Sequence, residues 1–246
     1  MREEIKGSYF IAKKDMGAYY LKPPLISWGL MLPIVFIFAF YFRNPMGIKE
    51  VVPGLIGLTL LFSCTSMAAI VITFEKRIGA LERLLLAPLN FRTILLGKTL
   101  GSTLFGLMVA VVITLILIPL MGLSVKHLWA FILIFIFSGF AFSLLGILIS
   151  VGVKEVFEAM TMSNFFRFPM IFLCGVFFPV PSMPFPFPIL SYLLPLTYTV
   201  DGLRHCLLEG MPMVPLSLDL FILLGFVILI YVLSLYIFRK RIRQEF

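Results

Sequence analysis

Long apolar runs alternate with short polar stretches along the 246 residues. Runs of the length needed to cross a bilayer fall at about 25–42, 52–73, 99–122, 128–152, 162–180 and 220–238. A hydrocarbon core of about 30 Å takes roughly 20 helical residues. Lipid offers a backbone no hydrogen-bond partners, so such runs are expected as helices, which satisfy their own. The pattern therefore predicts an all-α integral membrane protein, one transmembrane domain over 1–246 with six spanning helices. Five of the runs are free of charge, and the fifth carries Arg167. An ionisable group inside a span costs about 2.5–3.5 kcal/mol at mid-membrane and marks a candidate functional residue. Arg167 is expected either to snorkel to the interface or, with Thr161 and Asn164, to line an entrance that attracts an anionic group. Ser63, Thr65 and Ser66 on the second run are weaker pathway candidates, because a helical hydroxyl commonly bonds back to its own helix.

Three polar or broken stretches lie between the runs. In residues 1–24, Tyr9, Ala12, Met16 and Tyr19 share a helical face while Lys13, Lys14 and Asp15 point elsewhere. This is the pattern of a helix lying in the membrane interface, with a plain basic flank as the alternative. Pro23-Pro24 ends it. Residues 74–90 hold Ile78, Leu81 and Leu85 on one face, with Glu75, Lys76, Glu82 and Arg83 off that stripe and Pro88 as a stop. The spacing predicts a short amphipathic helix of the kind that docks into a partner's groove. Residues 181–218 follow a run where prolines at 179, 181, 184, 186, 188 and 195 interrupt an apolar sequence. Proline breaks a straight span, yet the segment is too apolar for a free loop. Short helices that dip back into the leaflet reconcile the two, with Asp201 and Arg204 expected at the water boundary.

Composition agrees with a lipid solvent. Hydrophobic residues make up 61% and charged residues 13%, where soluble domains carry about 25% charged. With both ends of the chain inside, the cytoplasmic segments would hold all but Arg43, Lys49, Lys126 and Arg204 of the 20 basic residues. The positive-inside rule favours that topology. The net charge of +8 then reports topology and anionic lipid, with no need for nucleic acid. The charged start, Met1 to Lys6, lacks the short apolar core of a signal peptide and is expected to be retained. Cys64, Cys174 and Cys206 are far apart and odd in number, which favours packing over a disulfide framework. Small residues at four-residue spacing, Gly97/Gly101, Ser102/Gly106 and Gly146/Ser150, are expected to let helices of this chain approach closely.

Two stretches together carry a family likeness. "EKRIGALERLLLAPLNFRTILLGK" (Glu75–Lys98) and "PMIFLCGVFFPVPSMPFPFPILSYLLPLTYTVDGLR" (Pro169–Arg204) resemble two patterns of the type-2 ABC transport permeases. These are the membrane subunits of many polysaccharide, drug and lipid exporters. Ala80 stands where that family commonly has Thr. The resemblance implies an ATP-driven exporter working by alternating access, with two ABC ATPase subunits as partners. It also implies a second permease copy or close relative, and ATP and magnesium bound by the ATPase. Glu75, Arg77, Ile78, Gly79, Leu81, Glu82, Leu85 and Pro88 would then form the coupling helix, and Phe178, Pro179, Asp201 and Arg204 an outer gate. A prokaryotic cell membrane, with both termini cytoplasmic, goes with that reading.

Other chemistries fit less well. Gly97-Lys98-Thr99 lacks the earlier glycine of a phosphate loop, since position 92 is Arg92. His127 and His205 are distant in sequence, and no close set of His, Cys or carboxylate suggests a metal. No serine has an evident base, so no catalytic residue is expected. A gradient-driven carrier or channel would want more polar spans, and a non-transport scaffold leaves residues 74–90 unexplained. A haem-exporter permease is a nearer alternative within the ABC class.

Overall fold

The computed structural model describes residues 2–21, 31, 34–36, 38, 39, 42, 48–208 and 213–245. Helix α1 (Arg2–Asp15) continues into a π-helical turn, Met16–Tyr20. Then come α2 (Ile48–Arg77), α3 (Ala80–Leu85), α4 (Phe91–Leu120), α5 (Leu128–Gly152) and α6 (Val156–Leu173). A 3-10 turn, Val180–Ser182, leads to α7 (Phe187–Tyr192), α8 (Pro195–Leu207) and α9 (Leu216–Glu245). The described residues contain helices and turns, without strands.

Among the described residues, four helices are long and apolar enough to cross a membrane: Lys49–Arg77, Phe91–Leu120, Leu128–Gly152 and Leu216–Lys240. They correspond to four of the six expected spans. The run at 25–42 lies largely outside the described residues, and so does Pro23-Pro24. The run at 162–180 differs from its expectation. Its helix starts six residues earlier, at Val156, and stops at Leu173, where Gly175 turns the chain at φ 75°. Glu158 and Arg167 lie within its 18 residues, and it is not among the four. The long helices outrun their apolar stretches, since a helix continues into polar flanks as long as its backbone bonds continue.

Helix α2 is the centre of the bundle. It packs on α4, α5, α6 and α8, and 83% of its most apolar stretch is buried, against 11% for α9 at the edge. Leu55, Ile56, Leu60 and Leu61 of α2 are buried with Ile113, Phe131, Ile134 and Phe142 in one core. A second core, at the end that carries α3, joins Ala68, Ile72, Leu81, Leu95, Ile147 and Phe238. The small residues do pack within the chain. A Cβ at Gly97 would lie 2.7 Å from Ile11 Cβ, so α1 rests directly on α4 there. Gly106 faces Cys64 of α2 in the same way. Close approach of this kind is how helices gain contact in lipid.

Candidate functional site

Four charged groups meet where α1, α2 and α4 come together. Lys98 Nζ on α4 lies 2.9 Å from Asp15 Oδ2 and 3.1 Å from Asp15 Oδ1, and also pairs with Glu75 Oε2 of α2. Lys14 Nζ closes the ring, 2.6 Å from Glu75 Oε1 and 3.2 Å from Asp15 Oδ1. The side chains of Asp15 and Glu75 are fully buried and Lys98 is 3% exposed. Two carboxylates facing two ammonium groups make the knot neutral, which is the condition for keeping such charges from water. Burial pushes the Asp15 carboxyl up, and the Lys98 ammonium beside it pulls the other way. The knot fastens α1 to the bundle two residues before α2 ends. Ser8 Oγ donates to Thr93 O at 3.0 Å on the same interface.

This geometry corrects three sequence expectations. Asp15 does not point away from the packed face; it is at the middle of it, with Ser8, Ile11 and Ala12, while Tyr9 is 59% exposed. The stripe misled because a charge that finds its counter-ion can bury more deeply than an aromatic ring. Lys98 is a buried partner in a helix rather than a basic flank. Glu75 belongs to α2 and faces inward, so it is not on a docking surface.

The segment 74–90 is divided as well. Gly79 at φ 68° turns the chain between α2 and the six-residue α3, a backbone state that glycine reaches without steric cost. Arg83 folds back, its Nε 3.2 Å from Gly79 O and its Nη2 3.2 Å from Ile78 O. Leu81 is buried in the chain's own core, and Leu85 packs against that core. Phe74 at the end of α2, Ile78 and Leu86 are the large apolar residues left outside, 40%, 45% and 79% exposed. Arg77, Glu82 and Pro88 are exposed with them, and Gly79 is half-buried. Arg77 lies 3.7 Å from Glu155 across the surface.

Arg167 is buried between α6 and α2. Its guanidinium carbon lies 4.8 Å from the centre of the Phe62 ring, a cation–π contact. Its Nη1 is 3.4 Å from Asn164 Oδ1, and its Nε has no hydrogen-bond partner among the described residues. The side chain is therefore inside the protein and does not reach outward along a lipid face. Asn164 is brought to it, but Thr161 is exposed and donates to Phe157 O of its own helix. Thr65 Oγ1 likewise donates to Leu61 O. Ser63 is buried and its hydroxyl has no hydrogen-bond partner among the described residues, and Ser66 is half-buried.

At the other end of the bundle, Phe178 is 63% exposed and Pro179 opens the 3-10 turn. Arg204 donates to the Gly175 carbonyl and so ties α8 to the turn after α6. Asp201 is buried and accepts the Met213 and Val214 backbone N–H groups at 3.0 and 3.1 Å. The expected amphipathic turn at the water boundary is thus a buried helix, wedged against α2, α5 and α9. Leu196, Val200, Leu203 and Cys206 supply the apolar surface it buries there.

A profile of the ABC-2 type transporter family matches residues 9–208. The chain belongs to that family. Among ABC-2 relatives, the inner membrane transport permease YadH of Escherichia coli K12 is 29% identical over 241 residues, covering 92% of this chain and 93% of that one. The probable multidrug ABC transporter permease YbhS of the same organism is 27% identical over 183 residues, 72% of this chain and 48% of that one. The putative transport permease ycf38 of Cyanophora paradoxa is 25% identical over 202 residues, 74% and 68% of the two. Within this ABC-2 member, sequence reasoning missed Asp15 and Lys98 as partners. The one signal was a lysine placed beside Gly97 inside an otherwise apolar helix.

Proposed function

We propose that this chain is the non-catalytic membrane subunit of an ATP-driven exporter of a prokaryotic inner membrane. Two copies, or one copy and a close relative, would frame the pathway, with two ABC ATPase subunits binding ATP and magnesium beneath them. The family match supports a permease. The observation that carries the reading is the turn at Gly79. It presents Ile78 and Leu86 outward within a few residues of the buried knot that joins α1, α2 and α4. A push on α3 would reach three elements at once, because a neutral buried knot moves as a unit.

In this reading α3 and both termini face the cytoplasm, as the distribution of Lys and Arg favours. ATP-driven closure of the ATPases would draw the two α3 helices together and switch the pathway from inward- to outward-open. Arg167, held against Phe62, would meet an anionic portion of the substrate. The name of one relative, probable multidrug ABC transporter permease, is consistent with an apolar or amphipathic cargo.

Co-purification in nanodiscs tests the reading. Wild-type permease is expected to retain two ATPase subunits per permease pair. Ile78→Asp with Leu86→Asp is expected to release them while the permease elutes and melts as before. A wild-type permease that binds no ABC ATPase under conditions that keep it folded would sink the proposal.

A further inference from the structure

Three side chains far apart in the pattern of the sequence converge at the end of the bundle opposite α3. Asp201 and His205, four residues apart, share a face of α8, and Asp219 comes from the first turn of α9. One ligand atom from each lies within 4.8 Å of the other two. The helices are close enough that a Cβ at Gly202 would meet Asp219 Cβ at 3.7 Å.

The three are not equally satisfied. Asp201 is held by the Met213 N–H, 3.0 Å from both of its oxygens, and by the Val214 N–H, 3.1 Å from Oδ2. Asp219 is fully buried, and neither of its oxygens has a hydrogen-bond partner among the described residues. Its Oδ2 is 3.9 Å from His205 Nε2, too far for a hydrogen bond. That nitrogen is instead 2.7 Å from the Val214 carbonyl oxygen. Arg204, the neighbouring cation on α8, is turned to the Gly175 carbonyl. A buried carboxylate without a donor is costly, and here it faces a second carboxylate and an imidazole.

We propose that Asp201, His205 and Asp219 form a binding site for a divalent first-row transition cation, with zinc as its representative. One imidazole and two carboxylates suit such a cation better than calcium or magnesium, which take oxygen-only shells. Ligand atoms about 2.1 Å from zinc stand roughly 3.4 Å apart in a tetrahedron, so the His205–Asp219 gap closes by about half an ångström. The cation takes the place of the proton that His205 Nε2 shares with Val214, and that proton moves to Nδ1, leaving the ring neutral. The Val214 carbonyl, freed by that exchange, is placed to serve as a further oxygen ligand. His205 is 18% exposed and gives the ion its way in. A bound cation staples α8 to the start of α9 and fixes residues 213–214 between them. The site stands on its own geometry, whatever substrate the permease carries.

The test uses full-length protein purified through a streptavidin-binding tag, stripped with a chelator and held in nanodiscs. After zinc addition and gel filtration, elemental analysis is expected to find one zinc per chain. Asp219→Asn and His205→Gln are each expected to weaken zinc binding by at least about tenfold. Zinc should raise the melting temperature of wild type and leave both variants unmoved. Wild type that retains no stoichiometric zinc overturns the proposal without reference to any variant. Zinc held equally by His205→Gln, whose side chain reaches the surface, places the cation elsewhere and overturns it too.

Discussion

Lys98 Nζ sits 2.9 Å from Asp15 Oδ2, across 83 residues of chain. Glu75 completes the pairing from α2. Removing one partner of a buried pair leaves a charge without compensation, which costs about 3–5 kcal/mol. Lys98→Met would leave two buried carboxylates to share the half-exposed Lys14 and is expected to lower stability by up to that amount, read as a fall in melting temperature in detergent. Asp15→Asn leaves Lys98 with Glu75 and is expected to cost only about 1 kcal/mol.

Asp15 also sets a pH dependence. Burial raises its carboxyl above the ordinary 3.8, with Lys98 opposing. A raised value in the folded state means that the folded chain binds the proton more readily than the unfolded one. The contribution of this group is therefore full below 3.8 and declines as pH rises through the folded value. Against Asp15→Asn, wild type should gain stability as pH falls through the raised folded value toward 3.8, so the gap between the two melting curves widens. Curves that stay parallel or draw together as pH falls would contradict the assignment.

Gly97 decides whether α1 can lie on α4. A methyl group there meets Ile11 Cβ at 2.7 Å and Ser8 O at 3.0 Å, and neither is the free end of a flexible chain. Gly97→Val is expected to cost about 1–3 kcal/mol. Its specific signature would be faster proteolysis within residues 2–21 while α4 stays protected.

Leu81 and Ile78 lie three residues apart and should behave oppositely. Leu81→Asp buries a charge among Ala68, Ile72 and Leu95 and should destabilise the permease itself. Ile78→Asp alters an exposed residue and should leave melting unchanged within about 0.5 kcal/mol. Comparing the two by melting temperature and ATPase retention separates loss of docking from loss of fold.

Arg167 is a buried cation with an unpartnered Nε. Replacing such a half-satisfied charge by an apolar side chain of similar length is often neutral or stabilising. Arg167→Met is therefore expected to hold or raise the melting temperature and to reduce transport of an anionic substrate. Unchanged flux in the assembled complex would remove Arg167 from the pathway.

Apolar runs at 52–73, 99–122, 128–152 and 220–238 were enough to place the four long helices, because in lipid a run of that length has little alternative to a helix. The four-residue spacing in Gly97/Gly101, Ser102/Gly106 and Gly146/Ser150 was enough to mark where helices touch. Periodicity also found α1, but chose the wrong face for it. It found a helix after Gly79, but not that Leu81 would be consumed by the core.

Those failures share a cause. Periodicity ranks a residue by its own polarity, whereas burial depends on what stands opposite. Asp15 goes inside because Lys98 and Glu75 arrive from other helices, and Arg167 because Phe62 offers a ring face. The meeting of Asp201, His205 and Asp219 is of the same kind: Asp201 and His205 share a helix, but only the packing of α8 on α9 brings Asp219 to them. The sequence by itself determined a membrane-bound helical protein, since hydropathy acts run by run along the chain, while its likeness to a permease family rested on Glu75–Lys98 and Pro169–Arg204. Which charges pair, which hydroxyls are left without partners and where three ligands converge was decided only by tertiary structure, because each is a relation between distant segments.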